Sequence, residues 1–224
     1  MRYLLSTTKK RFIPLLGASV LLTGGIGASV LFAGGTADAA TCPAGTACTI
    51  TGTLNVTSGA LTLTAPPALG WSETVNGLDQ HLVDPTPADQ TYQVDDATGT
   101  APGWHVTIAA TQFTSGANVL ADAGTFSTNG SITTQASTTP PTAACVTGST
   151  CTLPTDTTVY PVAITTGAAV TAVNIYDASA GTGAGTINIG YPGTAPVGWW
   201  LNVPSNTLQG TYTSTVSLEL NSGP

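Results

Sequence analysis

Positive charge is almost absent from this sequence. Its four Lys and Arg residues are Arg2, Lys9, Lys10 and Arg11, and none occurs after position 11. Acidic residues run on to Glu219, and the formal net charge is −7. Beyond residue 39 the carboxylates are Glu73, Asp79, Asp84, Asp89, Asp95, Asp96, Asp122, Asp156, Asp177 and Glu219. Such a surface repels phosphate polymers, so nucleic acid is excluded as a partner. An anionic membrane surface is disfavoured for the same reason. No Lys or Arg salt bridge can form in this part of the chain. Stability must come from apolar burial, backbone hydrogen bonds and cross-links. The lack of lysine also removes Schiff-base chemistry, Lys–Asn isopeptide cross-links and lysine-linked pilus polymerisation. The ending Ser222-Gly223-Pro224 carries no hydrophobic tail or sorting signal. Attachment to any surface is therefore expected to be non-covalent.

Catalytic groups are equally scarce. The only histidines are His81 and His105. His81 lies near Asp79 and Asp84, but no serine or cysteine nucleophile motif accompanies it. Metal and catalytic sites need more convergent ligands, so a surface-loop histidine is expected. His105 falls on the polar face of an alternating segment, where solvent exposure is expected. Asp95-Asp96 before Gly99 lacks the D-x-[DN]-x-[DN]-G calcium pattern. Gly181-Thr-Gly-Ala-Gly185 precedes a strand instead of opening a helix, as phosphate loops require, and reads as a turn. No catalytic, cofactor or metal residue is assigned, and the chain is not expected to be an enzyme.

Four cysteines are present: Cys42, Cys48, Cys145 and Cys151. An even number in an exported chain reads as disulfides, with three possible connectivities. The C-x5-C spacing occurs twice, which favours two local loops, Cys42–Cys48 and Cys145–Cys151. Zinc pairs sit closer, as C-x2-4-C. Export itself is read from the N-terminus. A basic flank precedes an apolar run from Phe12 to Ala33, and Ala37-Asp38-Ala39 fits a small-x-small cleavage site. The run is long enough to span a bilayer as an uncleaved anchor. The cleavage motif favours a signal peptide at 1–39 and a domain at 40–224, secreted to the cell surface, with no membrane contact once the leader is removed.

The chain also echoes itself. Cys42-Pro-Ala-Gly-Thr-Ala-Cys48-Thr49 resembles Cys145-Val-Thr-Gly-Ser-Thr-Cys151-Thr152. Gly99-Thr-Ala-Pro-Gly-Trp104 resembles Gly193-Thr-Ala-Pro-Val-Gly-Trp199. One domain built from two related halves, or two tandem sandwiches, would explain this, with a seam near 138–142. The first of these is favoured.

The hydrophobic period is two. Apolar and polar residues alternate at Leu61/Leu63, Tyr92/Val94, Trp104/Val106/Ile108, Ile187/Ile189/Tyr191, Trp199/Leu201/Val203 and Tyr212 to Leu220. Alternation marks strands with one buried face, and the Thr, Val and Ile content suits the pleat. Turn-forming clusters separate the runs. An all-β, antiparallel β-sandwich follows. Asn76 to Gln90 reads as a long loop, because Pro85 and Pro87 exclude a central strand. Trp104 and Trp199 share faces with aliphatic neighbours and are expected in the core. Trp200 points to the opposite face, either half-buried by loops or exposed as a contact residue.

The segment Val94-Asp-Asp-Ala-Thr-Gly-Thr-Ala-Pro-Gly-Trp104-His-Val-Thr-Ile108, followed by Phe113, resembles the first motif of WxL-domain surface proteins, where V-x-D-x-R/T-G leads into G-W-x-L/V-x-V and a phenylalanine. Val203-Pro-Ser-Asn-Thr-Leu-Gln-Gly210-Thr-Tyr212 and onward to Leu218-Glu-Leu220 and Pro224 resembles that family's ending, P-x4-5-G-x-Y-x3-L-x-W-x-L-x3-P. The similarity runs from about Gly59 to Pro224. Val106 stands where leucine is usual, and Leu218 where the second tryptophan stands. The resemblance implies an exported all-β module held non-covalently to peptidoglycan or another envelope component, with Trp104, Val106, Leu218 and Leu220 as motif positions and Trp200 as a further candidate contact. Self-assembly into a filament or surface layer, with the chain as its own partner, is the alternative.

Overall fold

The protein is described by a computed structural model over residues 41–190 and 195–224. The leader reading therefore falls outside the described residues, as do Tyr191, Gly193 and Thr194. Residues 41–53 group separately from a compact unit, Leu54–Pro224. The first stretch contains the Cys42–Cys48 bridge. The second contains Cys145–Cys151, with Cα atoms 5.6 Å apart. Both bridges are local, as the repeated spacing predicts.

Thirteen strands and one 3-10 turn make up the regular structure of the described residues. The first sheet has the order β1 (Leu61–Thr64), β3 (Tyr92–Asp96), β11 (Gly185–Ile189), β8 (Ala143–Cys145). The second runs β2 (Gln80–Val83), β12 (Trp199–Val203), β7 (Phe126–Thr128), β9 (Val162–Ile164). The third places β4 (Trp104–Ala110) between β10 (Val173–Ala178) and β13 (Val216–Ser222). A short hairpin joins β5 (Thr114–Ser115) to β6 (Asn118–Val119). All ladders are antiparallel, and the sheets pack in a sandwich-like arrangement. Strands from either side of 138–142 share each of the three large sheets: β3 pairs with β11, β12 with β2 and β7, and β4 with both β10 and β13. No helix among the described residues is long and apolar enough to cross a membrane.

The period-two segments become strands for the expected reason. In β4, Trp104, Val106, Ile108 and Ala110 are fully buried, while His105, Thr107 and Ala109 are only partly covered. Each buried aliphatic side chain contributes about 1.5–3 kcal/mol. The region 76–90 departs from the expected loop. It contains β2 and a 3-10 turn at Pro87–Gln90. The prolines were correctly incompatible with a central strand, but β2 ends before Pro85 and lies at a sheet edge, where that restriction does not apply. His105 also differs from expectation: it is partly buried, with Nδ1 2.7 Å from the Gly223 carbonyl.

With no Lys or Arg available, polar side chains inside the unit turn to the backbone. Trp104 Nε1 donates to Gly183 O (2.9 Å), Trp199 Nε1 to Asp89 O (2.8 Å), Trp200 Nε1 to Ser131 O (2.9 Å) and Trp71 Nε1 to Trp199 O (3.0 Å). Gly183 has φ +74°, and a Cβ there would lie 2.5 Å from Trp104 Nε1. The left-handed backbone and the indole contact together require glycine. Gly183→Ala should destabilise the fold by about 3 kcal/mol, combining left-handed strain with overpacking. Chemical denaturation compared with Gly181→Ala, whose added Cβ would meet nothing, isolates the contact.

Two carboxyls cross-link the 155–160 segment to β10. Asp177 accepts from the Thr157 N–H (2.8 Å) and the Thr158 hydroxyl (3.1 Å), and Asp156 accepts from the Asp177 N–H (3.1 Å). The Tyr160 hydroxyl lies 2.7 Å from Ile175 O and 2.9 Å from Asp156 Oδ2. Its single proton can serve only one of them, and a carbonyl can only accept. A protonated Asp156 satisfies both contacts. Burial and the neighbouring Asp177 hold Asp156 above the usual carboxylate range, against the opposing bonds from Thr158 and Tyr160. Burial also pushes Asp177 up, but the bonds from Thr157, Asp156 and Thr158 outweigh it and leave Asp177 low. A raised folded-state pKa gives stability that is complete below the unfolded value and lost as pH rises through the folded one. Asp177 has the opposite sign, losing its contribution as pH falls through its lowered value. Asp156→Asn should therefore gain stability relative to the parent as pH rises from 4 to 7. Thermal unfolding of both proteins across that range measures the difference, and parallel curves would contradict a raised Asp156.

Candidate functional site

A surface groove of about 940 Å³ lies beside the sandwich. One wall is the chain after β1, residues 65–75, and the other is the chain before β13, residues 207–214. Leu82, Phe113, Leu120, Leu201 and Val203 line its interior, with Val216 and Leu218 from β13. Among the described residues β1 pairs only with β3, and β13 only with β4, so both are sheet-edge strands. They lie next to each other, and the groove opens from β1's C-terminal end along β13's first residues.

The first wall has no ladder of its own. Pro66 and Pro67 supply no N–H, so side chains from elsewhere fix it. Buried Asp84 accepts from the Gly70 N–H (2.7 Å) and the Thr86 N–H (2.8 Å). Buried Asp89 accepts from the Ala68 N–H (3.2 Å). The Trp71 indole donates to Trp199 O and meets Phe113 and Phe126 edge-on, at 6.0 Å and 5.7 Å. Two carboxylates and one indole thus hold this wall on the sandwich. The second wall is shaped by Tyr212, whose hydroxyl donates to Leu208 O (3.0 Å), and by Gly210, where a Cβ would lie 2.4 Å from Ser115 Oγ. Glu73 is the only charged side chain among the lining residues. The groove therefore offers aromatic and aliphatic surface, hydroxyls and two backbone edges, with almost no charge.

The structure unites the four motif positions and leaves Trp200 apart from them. Val106 pairs with Leu220, Ile108 with Leu218, and Trp104 with Ser222 across β4 and β13. The two motifs, distant in sequence, form one antiparallel ladder. Trp104 and Val106 are fully buried and can act only by shaping this ladder. Leu218 and Leu220 are half-buried instead of fully enclosed, because β13 is an edge strand. Of these four, Leu218 reaches the groove, where it joins Phe113, Gly210 and Tyr212 from the same two motif segments. Trp200 lies in another sheet and is 5% exposed, closed off by its bond to Ser131 O. The exposed alternative for Trp200 is thereby overturned. His81 lies on β2 with Nδ1 against Asn202 Oδ1, and no cluster of three or more potential metal-ligating side chains occurs among the described residues.

Sequence reasoning did not single out Trp71, Tyr212 or the 65–75 wall as a site. The available signal was Pro66-Pro67 beside an isolated tryptophan, an extended segment that cannot join a ladder yet carries a large aromatic side chain.

An antiparallel β-sandwich with a surface groove and no cation outside its N-terminus has the character of a binding module. Residues 52–224 match the family model described as "WxL domain surface cell wall-binding". The chain belongs to the WxL family. No curated protein and no solved structure matches it.

Asp84→Ala should strand two backbone donors and release the first wall, at a cost of about 3 kcal/mol. A red shift of Trp71 emission, seen against a Trp71→Phe control, would accompany the loss. Unchanged stability and emission would show that Asp84 does not anchor the wall.

Proposed function

We propose that this protein is a non-catalytic module of the cell envelope, held non-covalently on the wall by neutral contacts with peptidoglycan or another envelope component. The observation that carries this reading is the match to a wall-binding family in a segment without one Lys or Arg side chain. Ionic attachment to wall phosphate has no cation to use. Hydroxyls, backbone amides and aromatic faces remain, and these suit uncharged glycan and peptide groups. The groove serves as the surface that receives a polypeptide partner, because sheet-edge backbones at its border suit an extended chain.

Neutral contacts resist ionic screening. Purified peptidoglycan should therefore retain the protein at both low and about 1 M salt. Running the pull-down with and without a chelator shows whether a divalent ion bridges two acidic surfaces. Absence of retention in every condition rejects wall binding. Self-association is a second reading, favoured by a strongly exposed apolar segment before β1.

A further inference from the structure

Residues 49–57, Thr-Ile-Thr-Gly-Thr-Leu-Asn-Val-Thr, form no strand in the structure, yet they have the composition of one. Six of the nine are β-branched. Their apolar side chains, Ile50, Leu54 and Val56, all fall on one face of an extended chain, and they are 87%, 85% and 76% exposed. The segment carries no charge. It is strand-like chain that pairs with nothing among the described residues.

The groove has the matching deficiency. It lies at the border of two edge strands, β1 and β13, with aliphatic and aromatic side chains below and one carboxylate, Glu73, on its lining. A strand added at a sheet edge gains main-chain hydrogen bonds, and its alternate side chains fill pockets. Direction identifies the occupant. The chain enters β1 at Leu61, beside Gly59 and Ala60, which bond with Ala97, and the groove starts at the other end of β1, at Ala65. Residues 54–58 thus precede β1 at the end away from the groove.

We infer that residues 49–57 of one molecule add as a strand at the β1–β13 groove of a second copy, with Leu54 and Val56 directed onto its apolar floor. This rests on reading the groove as the surface that receives a polypeptide. Donor and acceptor are different surfaces, so the contact is heterologous and propagates head to tail. A neutral donor lets acidic copies meet without placing charge against Glu73. Joined copies would also turn weak single wall contacts into strong collective retention.

The test uses the full chain. Light scattering coupled to size exclusion, with electron microscopy, should show head-to-tail oligomers that grow with concentration. The double variant Leu54→Asp/Val56→Asp changes two exposed side chains, so thermal unfolding should be unaltered while association weakens on the order of a hundredfold. A synthetic peptide of residues 49–57 should cap the oligomers and shift Trp71 emission, and the same peptide with both aspartates should do neither. A parent that stays monomeric at millimolar concentration overturns the inference, as does a double variant that assembles like the parent. Displacement of the peptide by soluble peptidoglycan fragments would assign the groove to the wall polymer and overturn it too. Retention on peptidoglycan is measured on the same samples. A protein retained but never self-associating rejects this inference alone, whereas one that self-associates but is not retained rejects wall binding alone.

Discussion

Among the described residues a polar side chain has no Lys or Arg to pair with, and it turns to main chain or to uncharged hydroxyls and amides. Each of the four indole N–H groups ends on a backbone carbonyl far away in sequence. Buried Asp84, Asp89 and Asp96 accept backbone N–H groups, with no arginine or lysine available to them. A buried polar group without a partner costs about 1–3 kcal/mol, so these bonds decide which loops lie against the sandwich. The tryptophans bring apolar area and a single directional donor together, and thereby fasten irregular segments without charge.

The same constraint builds the groove. Its first wall consists of proline-rich chain with no ladder, and it stays in place because Asp84, Asp89 and the Trp71 indole bond across to it or from it. The core strands β4 and β13 determine where the other side falls. Their register aligns Val106 with Leu220 and Ile108 with Leu218, so these motif positions share one ladder. Leucine at 218 fits this setting. A half-buried edge position at the groove takes an aliphatic side chain without needing a partner for an indole N–H.

The proposed non-covalent attachment rests on the same chemistry. A surface rich in hydroxyls and poor in charge recognises through shape, amide groups and apolar contact. Such contacts are individually weak, and a wall is a repeating lattice. On the proposed reading, repetition of the module along that lattice would turn weak contacts into firm retention.

Composition and period were enough to determine the all-β class, the buried faces of β3, β4 and β11 and the two local disulfides. These depend on local alternation, on spacing, or on residue types that are absent. The remainder depended on long-range pairing. β2 was obscured because its prolines lie just beyond it, and edge strands tolerate what central ones do not. Trp200 could not be placed, since its cover comes from Ser131, 69 residues away. Leu218 and Leu220 were only half enclosed because burial depends on whether a second strand lies alongside, and β13 has none on its outer edge. The groove was the least legible feature. Its walls are non-periodic chain, and only the tertiary structure decides which distant carboxylates and carbonyls hold them.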